Sequence, residues 1–521
     1  MKADGLKALT NAHAWVGLII STVLFVVFFA GSLSLFRDNI DQWESGPHFA
    51  NEQVASKVSL DQTIATVEQQ YQIYMHDEVR IWLPSAQQPL INVTFAAELP
   101  DEQHQDHHLL LSSTSNTIVG DGERFDFANF LYGLHVDLHI DDVGKYLVGL
   151  VTLFFFVALI SGVVIHWRKI ITKFFMYRKD GSKDRLLDAH NLIGVMGLPF
   201  HIMYAFSGLV FNLLIIYQIS YVIVLYNGDQ EALFRDAGFV ETHLDETKIK
   251  QPMVGLDQLM IKAKQALGNV EITRVSIEHF GDQSASVVFS GADPSQFSTR
   301  KEIKYHIATG EVLYKTLNNY DNTLRSGLSI IASLHFGNFA GYTIRLLFFL
   351  LGLGTCYIIL TGNLMWIEKR AKQRKVNQFG LHLVKAMTSG GFIGVIFATA
   401  VGFIAARLLP VTMVERSDMI VNIFFACLLG AIISALLTKQ QAQFSKLFCK
   451  LTALLLCAVP LLDWALLSND ILVMINLGKF DVIIVEAMLI LLALGCWKFG
   501  SAINQETKVT IENEVTVSET I

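Results

Sequence analysis

The chain has 521 residues, of which 52% are hydrophobic and only 17% are charged, with a formal net charge of −7. This balance excludes an ordinary soluble globular protein and favours a polytopic membrane protein. The five cysteines form no CxxC or CxxCH motif, which excludes a zinc knuckle, an iron–sulfur spacing and a covalently attached c-type haem.

The first apolar run covers residues 12–36 and follows Lys2 and Lys7. It is too long for the apolar part of a signal peptide, and its pattern returns in mid-chain, so it predicts a membrane helix rather than a cleaved leader. Seven more apolar runs predict membrane helices, and Pro199 predicts a kink in the second of these. They cover about 146–167, 187–221, 343–366, 386–409, 419–438, 448–468 and 481–498.

Two polar segments, 38–133 and 228–333, interrupt the apolar runs. Each predicts one amphipathic helix and several short strands, and the economical fold for each is one helix on a small antiparallel sheet. The helices are predicted at 60–72 and 256–267, and the strands at 79–83, 90–95, 109–119, 272–279, 285–290, 301–308 and 311–315. His104, His107 and His108 are predicted to lie in a polar loop, either solvated or as a weak metal site.

Basic clusters at 168–185, 369–385 and 439–450 alternate with poorly basic connections. The positive-inside rule then predicts eight helices with both termini in the cytoplasm and both polar segments outside. Asp463 and Glu486 fall near outer helix ends, and we interpret them as interfacial charges.

The apolar runs carry a repeated histidine–glycine pattern, which makes the first ~370 residues a tandem repeat of helix, extramembrane domain and helix. A histidine precedes a small residue and glycine by eighteen residues in two runs and by twenty-seven in two others. The pairs are His13 with Gly31, His190 with Gly208, His135 with Gly162, and His335 with Gly362. Small residue–glycine pairs let helices approach closely and leave room for a flat macrocycle.

Equivalent residues of a repeat lie at matched depth on opposite sides of a pseudo-two-fold axis. His13 and His190 would then face each other near one membrane face, and His135 and His335 near the other. Neutral imidazole is a usual axial ligand of haem iron, so the pattern predicts up to two bis-histidine b-type haems. A histidine in a membrane helix also occurs simply bonded to a backbone carbonyl, and His135 and His335 could instead touch substrate.

Three other histidines are lower-ranked candidate ligands. His201 lies eleven residues after His190, about 16 Å deeper on the same helix face. It is an alternative ligand, a relay, or a buried histidine bonded across the Pro199 kink. His139 and His166 have no histidine at the equivalent position of the other half.

The chain resembles the PepSY-associated transmembrane proteins, which include iron-regulated inner-membrane proteins and siderophore reductases. The resemblance is carried by Asn11-Ala-His-Ala-Trp-Val-Gly17, Leu134-His-Val-Asp-Leu through Gly149, Asp188-Ala-His-Asn-Leu-Ile-Gly194, Leu334-His-Phe-Gly-Asn through Arg345, and Tyr305-His-Ile-Ala-Thr-Gly-Glu-Val-Leu. It implies a four-helix haem-bearing core with two small α+β PepSY domains in the periplasm, with His13, His190, His135 and His335 as the matching histidines. The last four helices depart from the short form of the family.

The expected organisation is therefore a polytopic α-helical inner-membrane protein of about eight helices with two PepSY-like domains. The divisions are transmembrane helix 1 (1–37), domain 1 (38–142), helix 2 (143–168), helix 3 (186–227), domain 2 (228–333), helix 4 (334–368), a C-terminal four-helix extension (382–500) and a cytoplasmic tail (501–521).

The expected activity is transfer of electrons through haem b, in two copies, to a ferric siderophore or other ferric chelate outside. No GxGxxG or P-loop is present, so the donor would be a quinol or a cytoplasmic reductase. Membrane lipid is the expected surrounding, and no nucleic acid is expected. Two alternatives are a transport component for iron or its chelates, and a PepSY-based regulatory protein without redox activity.

Overall fold

The computed structural model describes residues 3–100, 103–167, 182–236, 244–253, 255–292, 300–316 and 323–518. The chain folds as two units, each compact. We call them the helical unit (Met1–Pro47, Phe127–Leu214 and Ala340–Ile521) and the sheet unit (His48–Asp126 and Ile215–Phe339).

The described helices and strands alternate between these units along the chain. In chain order they are α1 Ala3–Ser34, α2 Arg37–Ser45, α3 Leu60–Glu68, β1 Val79–Trp82, β2 Leu90–Glu98, β3 His104–Ser112, β4 Ile118–Asp121, α4 Phe127–Val136, α5 Asp141–His166, α6 Ser182–Met196, α7 Leu198–Leu225, α8 Gln230–Asp236, α9 Leu256–Leu267, β5 Glu271–Glu278, β6 Ser286–Ala292, β7 Arg300–His306, β8 Val312–Lys315, α10 Thr323–Phe336, α11 Gly341–Ala371, α12 Gln378–Ala386, α13 Gly394–Leu408, α14 Arg416–Leu437, α15 Gln441–Asn476 and α16 Asp481–Ser518.

Seven described helical stretches are long and apolar enough to cross a membrane, namely α1, α5, α11, α14, α15, the start of α16, and α12 with α13 as one stretch. The bent pair Arg185–Met196 and Leu198–Leu214, whose axes differ by 68°, is apolar enough to form an eighth span if its two parts cross together as one broken helix. The predicted kink lies there, at Gly197, because Pro199 is tolerated only in the first turn of the following helix and disfavours helical geometry just before itself. The chain is a multi-pass α-helical membrane protein.

The eight strands of the sheet unit form one antiparallel sheet in the order β4-β3-β2-β1-β5-β6-β7-β8. The sequence predicts a separate small sheet for each polar segment, whereas the structure joins the two through β1 and β5. Ile81 pairs with Val275 and Val79 pairs with Ile277 at this junction, and all four side chains are buried in one core. Burying both halves together removes two exposed strand edges.

Helices α3 and α9 cover the same core and cap each other. The backbone N–H of Leu60 donates to Asp257 at 2.6 Å, and the backbone N–H of Leu256 donates to Asp61 at 2.9 Å. Each aspartate therefore satisfies first-turn N–H groups of the other helix. The two helices come from equivalent positions of the two repeats, and each caps the other in the same way.

Two expectations for the first polar segment are wrong. The strand predicted at 109–119 is two strands, β3 and β4, because residues 113–117 turn between them. His104, His107 and His108 lie on β3 rather than in a loop, since β3 pairs with β2 along its whole length. His108 is hydrogen-bonded to Asn92 at 3.0 Å, and burial lowers its pKa.

Candidate functional site

The helical unit contains a cavity of ≈ 510 Å³ lined mainly by residues of α1, α5, α6, α7 and α11. Four of the predicted histidines line it, namely His13, His166, His190 and His201. The Pro-associated break at Gly197 lets both the α6 and α7 parts of the bent span contribute to the wall. His13 and His190 come from the repeated histidine pattern, and His166 and His201 are lower-ranked candidates of the sequence analysis.

His13 and His190 are held by equivalent hydrogen bonds. The Nδ1 of His13 lies 3.1 Å from the Ala158 carbonyl and 2.9 Å from the Ser161 hydroxyl. The Nδ1 of His190 lies 3.0 Å from the Ile358 carbonyl and 3.2 Å from the Thr361 hydroxyl.

These acceptors fix the chemistry of both rings. A carbonyl can only accept, so Nδ1 of each ring carries the proton and donates. The Nε2 atom of each ring then keeps its lone pair, which is the arrangement that second-shell carbonyls give to metal-binding histidines.

The two rings face a common space. Their centroids are 6.4 Å apart and their planes are nearly perpendicular, at 87°. Imidazole nitrogens bind metal ions at about 2 Å, so one ion between the two rings is compatible with this separation. Among the described residues no group of three or more His, Cys, Asp or Glu could hold a metal.

A glycine lies against each of the two rings. A Cβ on Gly162 would lie 3.4 Å from the His13 ring, and one on Gly362 would lie 3.6 Å from the His190 ring. Each histidine thus contacts a glycine that comes directly after its hydroxyl partner, Ser161 or Thr361. The small residue–glycine pair and the histidine it serves lie on different helices.

His135 has the same local arrangement elsewhere in the helical unit. Its Nδ1 donates to the Val27 carbonyl at 2.8 Å, and its ring contacts Gly31 so closely that a Cβ there would lie 2.6 Å from Nδ1. His335 belongs to the sheet unit, where it is buried in the last turn of α10 with its ring 5.6 Å from that of Phe336. The pairing of His135 with His335 stays a prediction.

The other candidates have different surroundings. His201 is almost fully buried, and its Nε2 lies 3.0 Å from the Thr355 hydroxyl. His166 is half-buried at the end of α5 and lines the cavity. His139 is exposed, packs its ring against Phe130, and is absent from the cavity wall.

Sequence reasoning missed Asn363, which is buried in the cavity wall directly after Gly362. Its side-chain amide donates to the Ser21 hydroxyl at 3.1 Å and to the Thr388 hydroxyl at 3.0 Å. Thr388 lies in a π-helical turn, Met387–Ile393, between α12 and α13. The available signal was the repeat itself, because the equivalent position in the first half is Val163.

Sequence reasoning also missed a buried charge network. Arg407 is ion-paired with Asp463, and Arg416 is ion-paired with Glu44 at 2.6 Å. The interpretation of Asp463 as an interfacial charge is wrong about the surroundings of this residue. Its carboxylate is fully buried and also accepts a hydrogen bond from Trp43 at 2.8 Å. The signal was an arginine and an aspartate inside two apolar runs.

Two comparisons with known proteins bear on this geometry. The family model of the PepSY-associated TM region matches residues 10–369. An uncharacterized protein of Pseudomonas aeruginosa is 25% identical over 295 residues, which cover 54% of this chain and 73% of that protein. The family match includes every cavity histidine and ends before α12.

Proposed function

Because the chain belongs to the family of the PepSY-associated TM region, we propose that it is an inner-membrane reductase that holds a b-type haem between His13 and His190. The haem iron would supply one-electron transfer when bound. Electrons would cross the membrane to reduce a ferric siderophore or another ferric chelate on the periplasmic side.

One observation carries the proposal. Two histidines at equivalent positions of the repeat face each other across 6.4 Å in one cavity, each with Nδ1 committed to a carbonyl. A histidine that serves only helix packing does not need an equivalent partner opposite it. The paired arrangement leaves two Nε2 lone pairs available for one metal ion.

The remaining residues of the wall control access and polarity. The cavity lining is largely aliphatic and aromatic, so it lowers the polarity of the surroundings of the two rings. Gly162 and Gly362 lie against the two rings, and a Cβ at either position would be at ordinary contact distance from its ring.

The direction of electron flow rests on sequence. The basic clusters predict that both termini are in the cytoplasm, which would put this cavity nearer the cytoplasmic donor, a quinol or a reductase partner. His135 and His335 remain the sequence-based candidates for a second haem nearer the periplasm. The assignment of two histidines to each haem and the nature of the electron donor are parts of the same proposal.

The test is an absorption spectrum of the detergent-purified full-length protein, oxidised and then reduced. We expect a low-spin b-type spectrum, reoxidation on addition of a ferric siderophore, and loss of one haem, the one between His13 and His190, in His13→Ala and in His190→Ala. His76→Ala is the control, because His76 is an exposed histidine of the sheet unit paired with Glu246. A colourless protein from haem-replete cells would overturn the proposal.

The buried Arg407–Asp463 pair favours a second candidate function, transport of iron or its chelate, because ionisable groups among membrane helices often mark a path. This function would be supported if colourless wild-type protein in proteoliposomes took up a labelled ferric chelate. The Asp463→Asn variant should then lose this uptake.

A further inference from the structure

One end of the cavity is basic. On α11 the cavity wall extends from Thr355 to Lys369 and Arg370, which is about 22 Å of helix. Gly362, which His190 contacts, lies between these limits, so the two cations are about 11 Å further along the helix axis than the histidine pair. The histidines and the cations therefore occupy different parts of one cavity.

Aromatic rings hold Arg370 in the wall. Its Cζ lies 5.3 Å from the ring centres of both Trp15 and Trp366, and these two rings are 5.7 Å apart. Both tryptophans also line the cavity. Its Nη1 also donates to the Gln373 side-chain carbonyl at 3.2 Å. The other N–H groups of the planar fork can still donate to a carboxylate or phosphate.

The acids near this end do not cancel its charge. Glu368 is paired with Lys372 at 2.7 Å, and Lys372 is not part of the wall. Among the described residues of the wall there is one acidic side chain, Asp188, and there are two cationic side chains, Lys369 and Arg370. The wall at this end therefore has a surplus of positive charge.

We propose that Lys369 and Arg370 bind the acidic groups of the molecule that occupies the cavity. This inference rests on the proposed function: for haem b the acidic groups are its two propionate carboxylates, so the ligand would enter with its carboxylates at the Lys369 end. A lipid phosphate offers the same anionic chemistry, and the experiment separates the two sources.

The experiment compares Lys369→Gln, Arg370→Gln and the double variant with wild type as purified full-length proteins. We expect haem transfer to an excess of apomyoglobin to become at least tenfold faster in the double variant, because two charge-assisted hydrogen bonds are lost. The haem midpoint potential should fall, since removing nearby positive charge stabilises the ferric form. Lys375→Gln is the matched control and should leave both quantities unchanged, because Lys375 is exposed and is not part of the cavity wall.

A second ligand distinguishes the contact from a general loosening of the fold. Protein reconstituted with haem dimethyl ester lacks the carboxylates, so the double variant and wild type should release it at the same rate. Lys369→Gln alone is informative even if Arg370→Gln misfolds, because Lys369 is exposed.

Three outcomes would overturn the inference. One is haem release and potential unchanged in the variants; another is an equal acceleration for the ester. The third is loss of co-purified anionic lipid with haem unaffected, which would assign the cations to lipid headgroups. A colourless wild-type protein would instead overturn the proposed function, and this inference with it.

Discussion

At the scale of single residues, one local geometry occurs three times. In each case a histidine donates its Nδ1 proton to the carbonyl four residues before a glycine, and the ring lies against that glycine. The three sets are His13 with Ala158 and Gly162, His190 with Ile358 and Gly362, and His135 with Val27 and Gly31. Only Gly31 excludes a Cβ, which would lie 2.6 Å from His135, whereas a Cβ at Gly162 or Gly362 would lie at an ordinary contact distance of 3.4 or 3.6 Å from its ring.

Gly31→Ala should be destabilising for this reason. Its Cβ would lie 2.6 Å from Nδ1 of His135, which would push the ring away from the Val27 carbonyl. Overpacking of this kind costs about 1–3 kcal/mol. Thermal unfolding in detergent, followed by circular dichroism, measures the effect.

Gly17→Ala, on the same helix, is the control. A Cβ there meets nothing within 4 Å, so we expect no loss of stability. Equal decreases in Tm for the two variants would show that the contact with His135 is not the cause.

At the scale of helices, the C-terminal extension is joined to α2 by one buried ion pair and by hydrogen bonds from a second buried pair. Glu44 of α2 pairs with Arg416 of α14, and Arg407 of α13 donates to the backbone carbonyl of Trp43 at 2.5 Å. The guanidinium of Arg407 also lies 3.9 Å from the centre of the Trp43 ring. The extension is therefore packed onto the first repeat through charges that have no access to water.

Glu44→Gln should destabilise the helical unit strongly. The substitution keeps the side-chain shape but leaves the Arg416 guanidinium buried without its counter-charge, and breaking such a pair costs about 3–5 kcal/mol. The measurement is again thermal unfolding in detergent.

The matched control is Lys372→Gln, which removes one member of an ion pair whose lysine is 71% exposed. Pairs of that kind contribute about 0–1 kcal/mol. A Glu44→Gln protein as stable as Lys372→Gln would mean that the buried pair contributes little to holding the extension.

At the scale of the whole molecule, each unit is built from both repeats. His13 comes from the first repeat and His190 from the second, and both line one cavity of the helical unit. In the sheet unit, β1 of the first repeat pairs with β5 of the second. The repeats are therefore not separate domains, because neither could complete its cavity or its sheet alone.

The β1–β5 pairing can be tested by cross-linking. Arg80 lies directly opposite Ser276, and opposed residues of an antiparallel pair have Cβ atoms about 5 Å apart. We expect the Arg80→Cys, Ser276→Cys double variant to form an intramolecular disulfide under mild oxidation, detected by a mobility shift that a reductant reverses.

Arg80→Cys combined with Arg274→Cys is the control, because Arg274 is opposite Trp82 and so lies diagonal to Arg80. It should cross-link much more slowly. Two separate sheets, as the sequence predicts, would give no intramolecular disulfide in either variant.

The sequence by itself determined what depends on local pattern. Long apolar runs predicted the membrane helices, short alternating segments predicted most strands, and the repeated histidines predicted the pair that shares a cavity. The helix predicted at 256–267 is α9 itself. These features are visible in the chain because hydrophobic periodicity and repeats are properties of neighbouring residues.

Only the tertiary structure decided which distant segments meet. The glycine that follows His13 by eighteen residues contacts His135, whereas His13 contacts Gly162. The joining of two half-sheets at β1 and β5, and the pairing of Asp463 with Arg407, likewise depend on contacts between segments far apart in the chain. Such contacts are fixed by packing and by the need to satisfy buried polar groups. They cannot be predicted from the pattern of neighbouring residues in the sequence.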